Sequence, residues 1–148
     1  MIGRFETFSL ALSEMMSSWN KIATEEMKKY GLKGNCVIYL IALYKNTDGL
    51  TAASLCDMCN RDKAEVSRAI SAMEKKELIK RTNTTVNGYR ANITLTEEGR
   101  KVTKELRDRV KLAVEKGGEG LTKEQRENFY TSLEIIGENL KKMSKEGL

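Results

Sequence analysis

"RDKAEVSRAISAMEKKELIKR", residues 61–81, is the stretch on which the reading of this chain turns. Its apolar residues fall at Ala64, Val66, Ala69, Ile70, Met73 and Leu78, mostly at the three- and four-residue steps that gather on one face of a helix. Lys63, Ser67, Arg68, Ser71 and Lys75 are left to the outer surface. Asp62 with Glu65 makes a capping-box-like start, and the helix should run to about Glu77. Asn60 and Arg61 form the break before it, since Asn tolerates the left-handed backbone that such a turn needs. An amphipathic surface helix can simply give its polar face to water, so the flanking segments decide what this one does.

Upstream, Thr51 caps a short helix that contains Leu55, Cys56 and Cys59. Downstream of Leu78 the period changes from helical to extended. Residues 79–86 and 89–95 are rich in Thr, Val, Ile and Tyr and flank Asn87-Gly88, a pair that accepts the positive φ of a two-residue hairpin turn. A tip at 87 and 88 pairs Val86 with Tyr89 and Thr84 with Ala91. Short helix, tight turn, amphipathic helix and hairpin is the order of a winged helix-turn-helix. A long cation beside hydroxyls also suits the major groove, where Arg grips guanine and Ser reaches bases or phosphate.

Further out, "LTEEG" starts a long helix with Thr96 as N-cap and Glu97 and Glu98 against its dipole. It should reach about Lys116 and turn Val102, Leu106, Val110 and Ala113 inward, before "GGEG" at 117–120 stops it. Thr122 and Gln125 form a capping box for a last helix carrying Phe129, Leu133, Ile136, Leu140 and Met143. At the other end, Phe5, Phe8, Leu12, Met15, Trp19 and Ile22 make a similar seam. Both seams ask for a partner helix, in the same chain or in a second copy. Asn35 can cap a second helix, Cys36 to about Lys45, whose Val37, Ile38, Leu40, Ile41 and Leu43 leave so little polar face that it should be buried.

Composition agrees. The 148 residues include no Pro and 6% aromatics, which favours helices over a sandwich or barrel, and the net charge of +5 is compatible with an anionic partner. No apolar run approaches the roughly 18 residues of a membrane span and no signal-peptide pattern opens the chain, so a cytoplasmic protein is expected. Three cysteines make a disulfide framework improbable. The absence of His rules out His-containing zinc sites, His general bases and Ser-His-Asp triads. With no convergent nucleophile, base or phosphate-binding glycine loop either, the sequence reads as a non-enzyme with no cofactor and no metal.

"LTAASLCDMCNRDKAEVSRAISAMEKKELIKR", followed by a hairpin and "ITLTEEGRKV", resembles the DNA-binding core of the MarR family of bacterial transcription regulators in both order and spacing. The resemblance implies a mainly α fold with a small β-hairpin. In it a winged helix-turn-helix domain, residues 35–100, is joined to helical dimerisation regions, 1–34 and 101–148. It also implies a symmetric homodimer, with intertwined first and last helices, that binds a palindromic operator as a repressor or regulator. The DNA-facing set is then Lys63, Glu65, Ser67, Arg68, Ser71, Lys75 and, on the wing, Arg90. Glu65 stands where the family usually has a small hydroxyl; it either caps the helix or accepts from cytosine N4. Arg90 comes one place after the usual wing arginine, and one residue changes the face to which a strand side chain points. A small-molecule effector could lodge between the dimer helices and the winged domain, lined by Met15, Trp19, Tyr39 and Tyr44. Cys56 and Cys59 replace residues that the family pattern buries, whereas Cys36, beside a helix N-terminus, is a candidate for an activated, redox-sensing thiol. The rival to DNA binding is a winged module for protein interaction, supported by the modest +2 of residues 51–100, nine basic against seven acidic.

Overall fold

The computed structural model describes residues 3–82 and 91–148, apart from the Phe5 side chain. The elements follow in the order α1 (Arg4–Lys28), α2 (Cys36–Lys45), α3 (Ala52–Cys59), α4 (Lys63–Lys75), β1 (Ile79–Thr82), β2 (Asn92–Leu95), α5 (Glu97–Gly117) and α6 (Lys123–Glu146). Two compact units divide the chain, Met1–Asp108 and Arg109–Leu148.

In the first unit local chemistry sets each boundary. The Thr51 hydroxyl accepts from the Ser54 amide at 3.1 Å and opens α3, and the Asp62 carboxylate accepts from the Glu65 amide at 2.8 Å and opens α4. Between them Asn60 sits in the left-handed region, φ 51 and ψ 53, so α3 ends and α4 begins within three residues. The chain leaves α4 the same way. Glu77 takes φ 59, and the Leu78 amide reaches back to the Met73 carbonyl at 3.0 Å, the six-to-one bond of a Schellman motif. The helix therefore closes at Lys75, short of the expected Glu77.

The core of this unit is a single apolar cluster. Val37, Leu40 and Leu43 of α2, Leu55 of α3, Val66, Ile70 and Met73 of α4, Ile79 and Ile93 of the sheet, and Val102 and Leu106 of α5 are all buried. Each comes from the apolar stripe of its element, which is what makes burial by packing possible. Ile38 departs from the expectation that α2 is buried all round, being 39% exposed. Asn35 also departs. Its backbone is helical and its side chain makes no cap bond, and the amide donates instead to Glu65.

β1 and β2 pair antiparallel with Ile79 opposite Leu95 and Thr82 opposite Asn92. Continuing an unbroken ladder from a two-residue turn at 87 and 88 would have set Thr82 opposite Ile93, so the base of the hairpin is offset by one residue from that expectation. The tip itself, with the pairs proposed for Thr84, Val86 and Tyr89, lies outside the described residues. A further bridge escapes sequence patterning: Leu50 and Ile93 exchange two backbone hydrogen bonds, at 2.9 and 2.8 Å.

Where β2 runs into α5 the backbones come close. The Thr96 amide donates to the Leu78 carbonyl at 3.0 Å, the Thr96 hydroxyl donates to the Glu77 carbonyl at 2.7 Å, and the same hydroxyl accepts from the Gly99 amide at 3.0 Å. Gly99 is buried against Leu78, and a Cβ built on it would collide with the Leu78 carbonyl oxygen.

The second unit holds the end of α5 and all of α6. The capping box of Thr122 and Gln125 is complete, with both hydrogen bonds formed, at 3.1 and 2.9 Å. Arg126 donates to the Gly118 carbonyl at 3.0 Å and ties the first turn of α6 to the loop before it. No residue of α6 is buried; Phe129, Leu133, Ile136, Leu140 and Met143 all lie exposed on one face.

The contact at Gly99 generates a direct test. Gly99→Ala must displace backbone rather than the tip of a flexible side chain. It should therefore lower stability by about 1–3 kcal/mol in urea unfolding, the usual range for overpacking, despite the better helix propensity of Ala. An unchanged unfolding midpoint would show that the two backbones separate freely.

Candidate nucleic-acid interface

α4 presents two faces because of its 100° step per residue. Val66, Ala69, Ile70 and Met73 are buried, and on the far side Ala64, Arg68, Ser71 and Lys75 are exposed in one row. Lys63 and Ser67 are exposed at the edge of that row. Among the described residues Lys63, Arg68 and Lys75 have no ion-pair partner, so three cationic heads stand in solvent on one helix face. Beside the helix, β1 exposes Lys80 and Arg81, and Arg81 is held by Glu74 of α4 at 3.0 Å. That ion pair couples the helix to the first wing strand and was not among the residues singled out by pattern. Arg90 lies outside the described residues.

Glu65 is placed differently from the capping-box expectation. Its carboxylate does not return to the Asp62 amide, so the capping box is only half made. It is turned instead toward α2, where it accepts from the Tyr39 hydroxyl at 3.2 Å and from the Asn35 side-chain amide at 3.3 Å. Its third neighbour is Arg61, whose Nε lies 3.7 Å away. Tyr39 is fully buried, and burial, reinforced by the Glu65 charge, pushes its phenol above the ordinary tyrosine range, which keeps it protonated as the donor.

The four residues expected to line an effector crevice have separate surroundings. Met15 is exposed and Trp19 half-buried on α1; Tyr39 is engaged with Glu65. Tyr44 lies between two guanidinium groups of α5, Arg100 at 4.8 Å and Arg107 at 4.6 Å from its ring centre, as cation–π contacts. Two open cavities, of about 630 Å³ along α1 and about 720 Å³ at the start of α3 and α4, are lined by none of the four.

Cys36 shows the competition between two effects on one thiol. A helix N-terminus lowers a thiol pKa, but Cys36 is 1% exposed, and burial pushes its pKa up to about 11 against the weaker opposing pull of Lys33. Burial also raises Cys59, while Cys56 remains half-exposed. The buried, protonated Cys36 is a packing residue of α2 in this structure, the opposite of an activated nucleophile.

Comparison with known proteins bears on the same segment. Residues 30–87 match the MarR family. Among curated proteins none matches the chain significantly. The chain is similar in structure to a MarR transcriptional regulator from Methanosarcina mazei Go1, with a TM-score of 0.86 and 24% identity over 97% of this chain and 94% of that one. It is similar also to a MarR protein from Peptoclostridium difficile, with a TM-score of 0.89 and 17% identity over 100% and 97%. A third likeness is to a MarR family regulator from Listeria monocytogenes solved with a 26mer DNA, with a TM-score of 0.82 and 21% identity over 99% and 97%. At these identities the likeness establishes the fold from end to end, and the sequence match identifies the winged segment. Residues 30–87, from just after α1 through the first wing strand, match the MarR family, and they are carried in a chain whose fold is similar to that of solved MarR regulators along its length.

Proposed function

We propose that this chain is a transcription regulator that binds double-stranded DNA as a homodimer, laying α4 of each copy in the major groove. The observation that carries the reading is the exposed row of Arg68, Ser71 and Lys75, cationic and unpaired among the described residues, directly opposite the buried stripe of α4. A helix that only needed solvation would gain from alternating charges along its face; this one leaves cations and hydroxyls without a carboxylate in the row. The Listeria monocytogenes regulator solved with a 26mer DNA has the same fold, which supports DNA as the partner.

The homodimer rests on a second feature. Phe8, Leu12, Met15 and Ile22 of α1, and Phe129, Leu133, Ile136, Leu140 and Met143 of α6, are exposed apolar residues at heptad-like steps, an extent of apolar surface that solitary soluble chains seldom leave bare. A two-fold dimer then reads a palindromic site, because operator symmetry mirrors protein symmetry, and acts as a repressor where that site overlaps a promoter.

Two experiments test the reading. Arg68→Ala should leave stability within about 0.5 kcal/mol of the parent, as exposed substitutions do. Against the DNA upstream of the protein's own gene it should lose roughly 1–3 kcal/mol of binding, with relaxed preference at one base pair per half-site. Lys80→Ala, at the base of the wing, should weaken that duplex and a scrambled one alike. Equal affinity of parent and Arg68→Ala for both duplexes would make α4 a solvated face and leave the interaction-module reading in its place. For assembly, light scattering at micromolar concentration should give twice the chain mass for the parent. Leu133→Asp with Ile136→Asp should shift it toward a single chain mass; a monomeric parent would defeat the dimer.

A further inference from the structure

The Glu65 carboxylate is turned away from the Asp62 amide and toward α2. Its two carboxylate oxygens are held from the α2 side, one by the Asn35 amide at 3.3 Å and the other by the Tyr39 hydroxyl at 3.2 Å. Tyr39 is wholly buried, so the hydroxyl that holds this oxygen belongs to the core. That same oxygen, Oε2, faces the Nε of Arg61 at 3.7 Å. Arg61 occupies the turn between α3 and α4 and, with Lys63 and Asp57, lines the open cavity of about 720 Å³ at the start of those helices. It lies at the same end of α4 as Lys63, the first cation of the exposed set.

We infer that Glu65 is an internal counter-ion that competes with DNA phosphate for Arg61. The inference rests on the DNA-binding reading and adds to it a residue outside the original DNA-facing set, Arg61, together with the group that restrains it. In the free protein the Arg61 guanidinium is partly neutralised by a carboxylate that the core holds in place. A phosphate that recruits Arg61 must displace that contact, and both groups are partly solvent-exposed, so the exchange is open to a ligand arriving from solution. Glu65 thereby lowers the affinity of the turn for any nucleic-acid backbone. Asp57 is the carboxylate that lines the cavity and has no ion-pair partner among the described residues, which makes it the proper control for charge alone.

The test uses the full chain and a short random-sequence duplex, titrated at several salt concentrations. Each phosphate contact contributes roughly 0.9 to the slope of log affinity against log salt, which at about 0.15 M corresponds to roughly fivefold in affinity. Glu65→Gln keeps an oxygen for Tyr39 and an amide that Asn35 can meet by reorienting. It should bind the duplex up to roughly fivefold more tightly, with the slope steeper by up to about one unit. Arg61→Gln should cost little in the parent but should cancel the whole gain in the Glu65→Gln background. Asp57→Asn should give a smaller gain that does not depend on Arg61. Weaker binding by Glu65→Gln, equal losses from Arg61→Gln in the two backgrounds, or an equal, Arg61-dependent gain from Asp57→Asn would each overturn the inference. A parent that binds duplex with no salt dependence would overturn the DNA-binding reading itself, and this inference with it.

Discussion

The winged segment depends on one close approach, the seating of residues 96–99 against the carbonyls of Glu77 and Leu78. Four elements end or begin there: α4 has just closed, β1 is about to start, and β2 hands over to α5. The Thr96 amide and hydroxyl satisfy two carbonyls that would otherwise be left at the end of α4, and the hydroxyl also caps α5. The approach is possible only because residue 99 has no side chain. Once it is made, the hairpin is pinned at its base and its strands have a fixed origin relative to the helix beside them. Ile79 and Ile93 then lie inward, while Lys80 and Arg81 remain on the outer surface.

Two left-handed residues make that arrangement compact. Asn60 turns the chain from α3 into α4, and Glu77 turns it from α4 into β1. Asn visits this region at modest cost because its side chain bonds locally, whereas Glu has no such compensation and sits there at an expense of roughly 1 kcal/mol. What holds Glu77 in place is the surrounding hydrogen bonding, since its carbonyl accepts from Thr96 and its neighbour Leu78 bonds at both its amide and its carbonyl. The local strain is therefore offset by the same contact that organises the wing.

The parts of this structure legible in the sequence were those set by groups within four residues of one another. Thr51, Asp62 and Thr122 cap the helices they were expected to cap, and Asn60 takes the left-handed turn. The buried stripe of α4 follows from the 3.6-residue period alone. What the sequence did not disclose depends on residues distant in the chain. Asn35 looks like a cap until Glu65, thirty residues away, takes its amide. Glu65 itself resembles the second half of a capping box until Tyr39 draws it toward α2. Leu50 carries no strand pattern because a single bridge to Ile93 has no period to detect. Cys36 shows the same limit in energetic form: the helix dipole is visible in the sequence, but the stronger effect, burial, is set by the whole packed unit.

The uneven distribution of the core bears on assembly. All the buried apolar residues lie in the first unit, and α6 buries none of its own. A helix of 24 residues with a good cap has enough local stability to be partly formed in water, but most helical stability in proteins comes from packing an apolar face. The apolar face of α6, in a homodimer, would receive that packing from another copy. Its stability would then be linked to protomer concentration by mass action, while the first unit would keep a core of its own. In that arrangement the two parts of the chain obey different rules: the winged segment is specified by contacts within one chain, and the last helix by contacts that only assembly supplies.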